Sequence, residues 1–128
     1  MKSKLRLALL VSLSFALIGA ARAADIDGKW KAEFDSQIGQ QKIVFELKAD
    51  GEKLTGKASA DRGERFGKTA TEIKNGKITK DEVSFTEEVK IQGQEIVIEY
   101  KGKLVGDELK LRRSFSTVGY DIVAERVK

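Results

Sequence analysis

The stretch Gly28-Lys29-Trp30-Lys31-Ala32-Glu33-Phe34-Asp35 alternates without a break, with Trp30, Ala32 and Phe34 on one parity and Lys29, Lys31, Glu33 and Asp35 on the other. A period of two matches an extended chain, so the stretch reads as a strand with one dry face and one wet face. The pattern recurs in Ile43, Phe45, Leu47 and Ala49, and again in Leu54, Gly56, Ala58 and Ala60, with Ala49-Asp50-Gly51-Glu52 as the turn between them. A fourth strand runs from Thr69 to Lys74. Asn75-Gly76 then either closes a tight hairpin or, as we read it, forms a bulge before Lys77 to Thr79 continues the strand. The fifth strand carries Val83, Phe85, Val89 and Ile91, and Gln92-Gly93-Gln94 turns the chain into a sixth carrying Ile96, Ile98, Tyr100 and Leu104. Leu109, Leu111 and Phe115 mark the seventh, and Ile122, Ala124 and Arg126 share one face of the eighth. A hairpin at Asn75-Gly76 would make nine strands. No stretch of helical period is left over.

Sequential strands with short connections form an antiparallel up-and-down meander, and eight of them bury an apolar face most completely by curling until the first pairs with the last. Closure also removes exposed edges, which matters in a chain with no Pro to blunt them. The predicted fold is therefore all-β, an eight-stranded antiparallel meander closed into a small barrel. A Greek-key sandwich would need longer connections than most of those present. A short echo, Gly76-Lys-Ile-Thr-Lys-Asp-Glu-Val83 against Gly102-Lys-Leu-Val-Gly-Asp-Glu-Leu109, repeats turn chemistry but falls short of a solenoid or propeller repeat.

The first 23 residues read as a secretory signal. Met1 to Arg6 is basic, Leu7 to Ala21 is mostly apolar, and Ala21-Arg22-Ala23 presents small residues where a signal peptidase cuts, between Ala23 and Ala24. The apolar run is shorter than the roughly 20 residues that span a bilayer. The expected product is an exported protein, periplasmic or extracellular, without membrane insertion, whose domain is residues 24–128. The formal charge of +4 on the full chain comes from Lys2, Lys4, Arg6 and Arg22, all within the signal. The domain itself is formally neutral, so the charge balance gives no reason to expect a nucleic-acid partner. With no Cys, the domain must be held by packing rather than by disulfides.

Gly28-x-Trp30 on the first strand and Arg126 near the end of the last become neighbours in a closed barrel, where a guanidinium can lie over an indole at the floor. On these residues the chain resembles the calycins, the lipocalin and avidin-like barrels, whose first strand carries Gly-x-Trp and in which, among lipocalins, a basic residue of the last strand packs across that Trp. The resemblance implies structural closure through Gly28, Trp30 and Arg126, and a small-molecule ligand as partner. The chain is also similar to small uncharacterised exported bacterial β-domains that begin with Gly-x-Trp and end in a stretch like Ile122-Val-Ala-Glu-Arg126. It is shorter than typical lipocalins, and Arg62 to Lys68 is its one candidate for a lid.

Two charges break the alternation. Glu87 falls on the parity of Phe85 and Val89, and Arg113 on that of Leu111 and Phe115. Both should point inward, and neither tolerates burial alone, so partners are expected in each other, in Tyr100 or in water near a barrel mouth. One outcome is a structural ion pair at the rim. The other is a ligand site in which Arg113 is a forked donor, Glu87 an acceptor and Tyr100 a stacking wall. The interior candidates Trp30, Phe34, Phe45, Phe85, Tyr100 and Phe115 could fill a narrow barrel, while Gly56, Ala58 and Ala60 leave one wall open.

The segment Asp61-Arg-Gly-Glu-Arg-Phe-Gly-Lys68 lacks the ending of a phosphate loop and reads as a solvated, mobile loop whose Phe66 could fold back as a plug. Without His or Cys the chain lacks the usual base near neutral pH and the thiol nucleophile, and Glu87 is the one carboxylate placed for an unusual environment. Pairs such as Asp50 with Glu52 and Asp107 with Glu108 lack the ligand density of a calcium loop, so neither metal nor cofactor is expected. The reading is a non-enzymatic barrel that binds a small or amphipathic molecule in or at its mouth. The alternative is a packed, envelope-associated interaction module that docks a partner through exposed Val44, Val97 and Val105. A carboxylate hydrolase is the third and least supported. A connected void of roughly 300 Å³ or more would separate the first from the second.

Overall fold

Alternation along each strand is matched by alternation in burial. In the computed structural model, which describes residues 26–36 and 39–128, Trp30, Ala32, Ile43, Phe45 and Leu47 are buried while Lys31, Glu33, Lys42 and Glu46 face solvent. The expected signal lies outside the described residues. The strands are β1 (Gly28–Ser36), β2 (Gly39–Asp50), β3 (Lys53–Asp61), β4 (Lys68–Thr79), β5 (Glu82–Ile91), β6 (Gln94–Val105), β7 (Glu108–Phe115) and β8 (Val118–Arg126). Each pairs antiparallel with the next, and β1 pairs with β8, so the meander closes into a barrel with no Greek-key crossing.

Asn75 adopts φ 55°, and the β4–β5 register shifts between Lys74 and Lys77. This is the bulge read from Asn75-Gly76, and Asn occupies the left-handed region at lower cost than most residues. It gives eight strands rather than nine. One expectation fails: a short helix, α1 (Gly63–Phe66), sits between β3 and β4 where only loop was anticipated. Gly63 and Gly67 bracket it with positive φ, and the Arg62 and Gly67 amides each donate a backbone hydrogen bond within the segment.

Strand β3 crosses β2 very closely at Gly56, which pairs with Leu47 and has φ 150°. A Cβ there would overlap the Glu46 carbonyl oxygen. Gly56→Ala should therefore cost about 1–3 kcal/mol, from strained backbone and forced separation of the two strands. Urea unfolding should show a lower midpoint with an unchanged slope; a variant as stable as the parent would contradict the close approach.

The floor of the barrel is built where the chain ends meet. Trp30 pairs with Arg126 across β1 and β8, and the Val127 amide donates to the Lys29 carbonyl at 2.9 Å. The Arg126 guanidinium lies 4.3 Å from the centroid of the Trp30 ring. It also donates to the Asp27 carbonyl at 3.0 Å and to the Asp107 carboxylate at 3.1 Å. The buried indole N–H donates to the Ile26 carbonyl at 2.9 Å, so the floor leaves the Trp30 donor satisfied. Gly28, at φ 131°, runs beneath the Arg126 guanidinium, where a side chain would be strained.

Above the floor the barrel is filled. Phe45, Phe85 and Tyr100 form a three-ring cluster, with Phe85 and Tyr100 stacked at 4.8 Å and Phe45 edge-on to both. Ala58 lies opposite Phe45 in register. Of the other small residues foreseen as an open wall on β3, Gly56 pairs with Leu47 and Ala60 with Ile43.

Candidate functional site

Strands β1, β3, β5 and β7 all end, and β2, β4, β6 and β8 all begin, at the other end, around the mouth. Three strands send a polar side chain inward just below it. Glu87 on β5 is completely buried, and Tyr100 on β6 donates its hydroxyl to Glu87 Oε1 at 2.9 Å. Arg113 on β7, opposite Tyr100 in register, donates from Nε to the same hydroxyl at 3.2 Å. The three residues singled out from the sequence therefore meet, but Glu87 and Arg113 are joined through the phenol rather than by a direct ion pair.

Arg113 is 2% exposed, a costly place for a cation. Its guanidinium is held 5.2 Å from the Phe34 centroid, 5.6 Å from that of Phe115 and 6.0 Å from that of Tyr100. The negative ring faces replace part of the lost hydration. Nη2 reaches Gln41 Oε1 at 3.5 Å, and Gln41 in turn donates to Ser36 Oγ at 2.8 Å.

A second cation completes the group, and at its position the solvated reading of 61–68 fails, although Gly63, Glu64, Arg65 and Lys68 are exposed. Arg62 is also 2% exposed; it enters the barrel between β3 and α1, and its Nη2 stands 3.9 Å from Glu87 Oε2. Its Nη1 donates to Thr69 Oγ1, and Thr71 adds a hydroxyl 3.4 Å from Glu87 Oε2. Burial lowers the pKa of Arg62, Glu87 opposes that shift, and the neighbouring positive charge of Arg113 adds to it. The buried interior among the described residues thus holds two guanidiniums and one carboxylate, a formal surplus of one positive charge. Three nitrogens, Arg113 Nη1 and Arg62 Nε and Nη2, are buried without a hydrogen-bond acceptor.

Over these groups lies a cavity of about 350 Å³, open to solvent. Arg62, Arg113 and Gln41 form its polar base. Ile96, Ile98, Ile91 and Phe115 form an apolar wall, and Phe66 of α1 and Tyr120 of β8 complete it. Phe66 is half-buried there, with the Arg65 guanidinium 5.4 Å from its centroid. Glu87 and Tyr100 are absent from this lining. Tyr100 stacks on Phe85 within the core instead of presenting a face to the cavity, so its geometry suits holding Arg113 rather than stacking on a guest.

The phenol also carries a pH signature. Burial raises the Tyr100 pKa far above its ordinary 10.0; the Glu87 charge raises it further, and Arg113 opposes the shift. A proton held more tightly in the folded chain gives stability that is full below pH 10.0 and is lost as pH rises from there toward the folded value. Above pH 10.0 the urea midpoint of the parent should fall more steeply than that of Tyr100→Phe, which has no phenol to ionise while keeping Glu87, Arg113 and Arg62 in place. Parallel slopes would contradict the buried, neutral phenol.

The outer face offers less. Val97, Val105 and Val123 are exposed, but their cross-strand partners are Glu88, Glu108 and Lys110. Val97 and Val105 stand near opposite ends of β6, and Val44, expected to be exposed, is half-buried. Single valines among charges do not make a contiguous apolar patch. Among the described residues no group of three or more Asp or Glu side chains is gathered to hold a metal ion, and Glu87 is the sole buried carboxylate. No family model, curated protein or solved structure matches the chain.

Proposed function

We propose that this chain is an exported, non-enzymatic barrel of calycin-like design that binds one small amphipathic molecule at its mouth. One observation carries the reading: an apolar-walled cavity of about 350 Å³ has Arg62 and Arg113 at its base, and both buried guanidiniums carry N–H groups that have no acceptor. The volume falls within the range of roughly 300–1,000 Å³ that small-molecule sites occupy, and an apolar wall with few convergent polar groups is their usual chemistry. Arg113 contacts the guest directly, while Glu87 and Tyr100 fix its guanidinium from beneath. Catalysis lacks support, because one buried carboxylate without a second positioned acid or base makes a poor hydrolytic centre.

Native mass spectrometry of the protein purified from its own host tests the proposal. A bound small molecule is expected, and it should disappear in Ile98→Trp, which fills the cavity from β6. A host-purified parent that carries nothing, or a guest retained by a folded Ile98→Trp, would overturn it.

A further inference from the structure

We infer that the guest carries a negatively charged head, which accepts hydrogen bonds from both Arg62 and Arg113 at the base of the mouth cavity, with its apolar body along Ile96 and Ile98. This rests on the ligand-binding reading above and names the chemical class that the site selects.

Charge and geometry agree. Glu87 is shared: it accepts from Tyr100, receives the Thr71 hydroxyl, and stands 3.9 Å from Arg62, beyond hydrogen-bond reach of that guanidinium. It therefore leaves Arg62 Nε and Nη2 unsatisfied, and Arg113 Nη1 with them. Unsatisfied donors on buried cations are costly, and an anion is the partner that answers both the missing acceptors and the surplus charge. Two guanidiniums present several N–H groups in fixed forks, which suit a planar or tetrahedral oxyanion better than a single hydroxyl. A cationic head would add a third positive charge beside them. A neutral head would supply an acceptor without the charge-assisted gain.

Arg62 also ties recognition to the mouth segment. It immediately precedes α1, and Phe66, three residues after Gly63, lines the same cavity. A head group bound to Arg62 thus bears on the residues that cover the body.

Isothermal titration of the full chain with decanoate, decanol and decylammonium compares three heads on one apolar body. Decanoate should bind at least tenfold more tightly than decanol, and decylammonium more weakly than decanol. Arg62→Met should reduce the preference for decanoate over decanol to about threefold or less. Arg113→Met should do the same; if that variant does not fold, Arg62→Met decides, its fold checked by circular dichroism. Equal binding of decanoate and decanol, or an undiminished preference in folded Arg62→Met, overturns the charged-head inference and leaves the ligand reading standing. Failure of all three compounds to bind overturns the inference as well. The ligand reading falls with it only if the host-purified parent is also empty.

Discussion

Trp30→Ala should lower the unfolding free energy by about 3–5 kcal/mol, the range for deleting a large aromatic from a packed core. Trp30 is fully buried at the floor, so truncation opens a cavity there. It also leaves the Ile26 carbonyl without the indole donor and the Arg126 guanidinium without the ring beneath it. The damage falls where β1 meets β8, the shortest of the eight strand pairings. Urea unfolding followed by circular dichroism measures the loss, since the single Trp is no longer there as a fluorophore. Trp30→Phe should recover part of it by restoring an aromatic surface without the N–H. A cost below about 1 kcal/mol for Trp30→Ala would mean that the floor does not hold the barrel shut.

An effect of similar size is expected at the other end. Glu87→Ala removes the one carboxylate that faces two buried guanidiniums, and breaking a buried ion network from one side typically costs about 3–5 kcal/mol. Tyr100 loses its acceptor, Thr71 loses a partner, and the neighbouring positive charges of Arg62 and Arg113 are left unopposed. The diagnostic feature is non-additivity. Arg62→Met combined with Glu87→Ala should be less destabilised than the sum of the two single changes, because the second substitution removes a charge that the first left unopposed. Simple additivity would show that Arg62 and Glu87 act independently, contrary to their 3.9 Å separation in the buried interior.

Much of this was legible in the chain. Unbroken period-two alternation with short turns admits few packings, and the absence of long connections favoured a meander that closes over a sandwich that crosses. Gly28, Trp30 and Arg126 could be placed together because closure alone makes the first and last strands neighbours. Glu87 and Arg113 were visible as charges on an apolar parity, and the rule that buried charges need partners led to Tyr100.

Arg62 was not found, for an identifiable reason. It lies one residue past the end of β3, in a segment whose Asp, Glu, Arg and Gly content reads as solvated, yet it continues the inward parity of Ala58 and Ala60. Extending that parity by one step would have placed it inside. Gln41 continues the parity of Ile43 and Phe45 in the same way, at the start of β2, and is 2% exposed. Both lie at the mouth ends of strands, where a side chain leaves the apolar core while still inside the barrel, so polar residues there carry little signal of burial. The cavity itself depends on where rings settle in three dimensions. Phe45, Phe85 and Tyr100 pack against one another and fill the middle, which leaves the space above them. Alternation along a strand contains no record of that choice.

The most direct measurement is a crystal structure of the protein purified from its own host. Electron density for one molecule in the mouth cavity is expected, with an oxyanion within hydrogen-bond distance of both Arg62 and Arg113 and an apolar body against Ile96 and Ile98. A mouth in which the Phe66 ring occupies that volume, or in which the two guanidiniums are satisfied entirely by the protein's own acceptors, would contradict it.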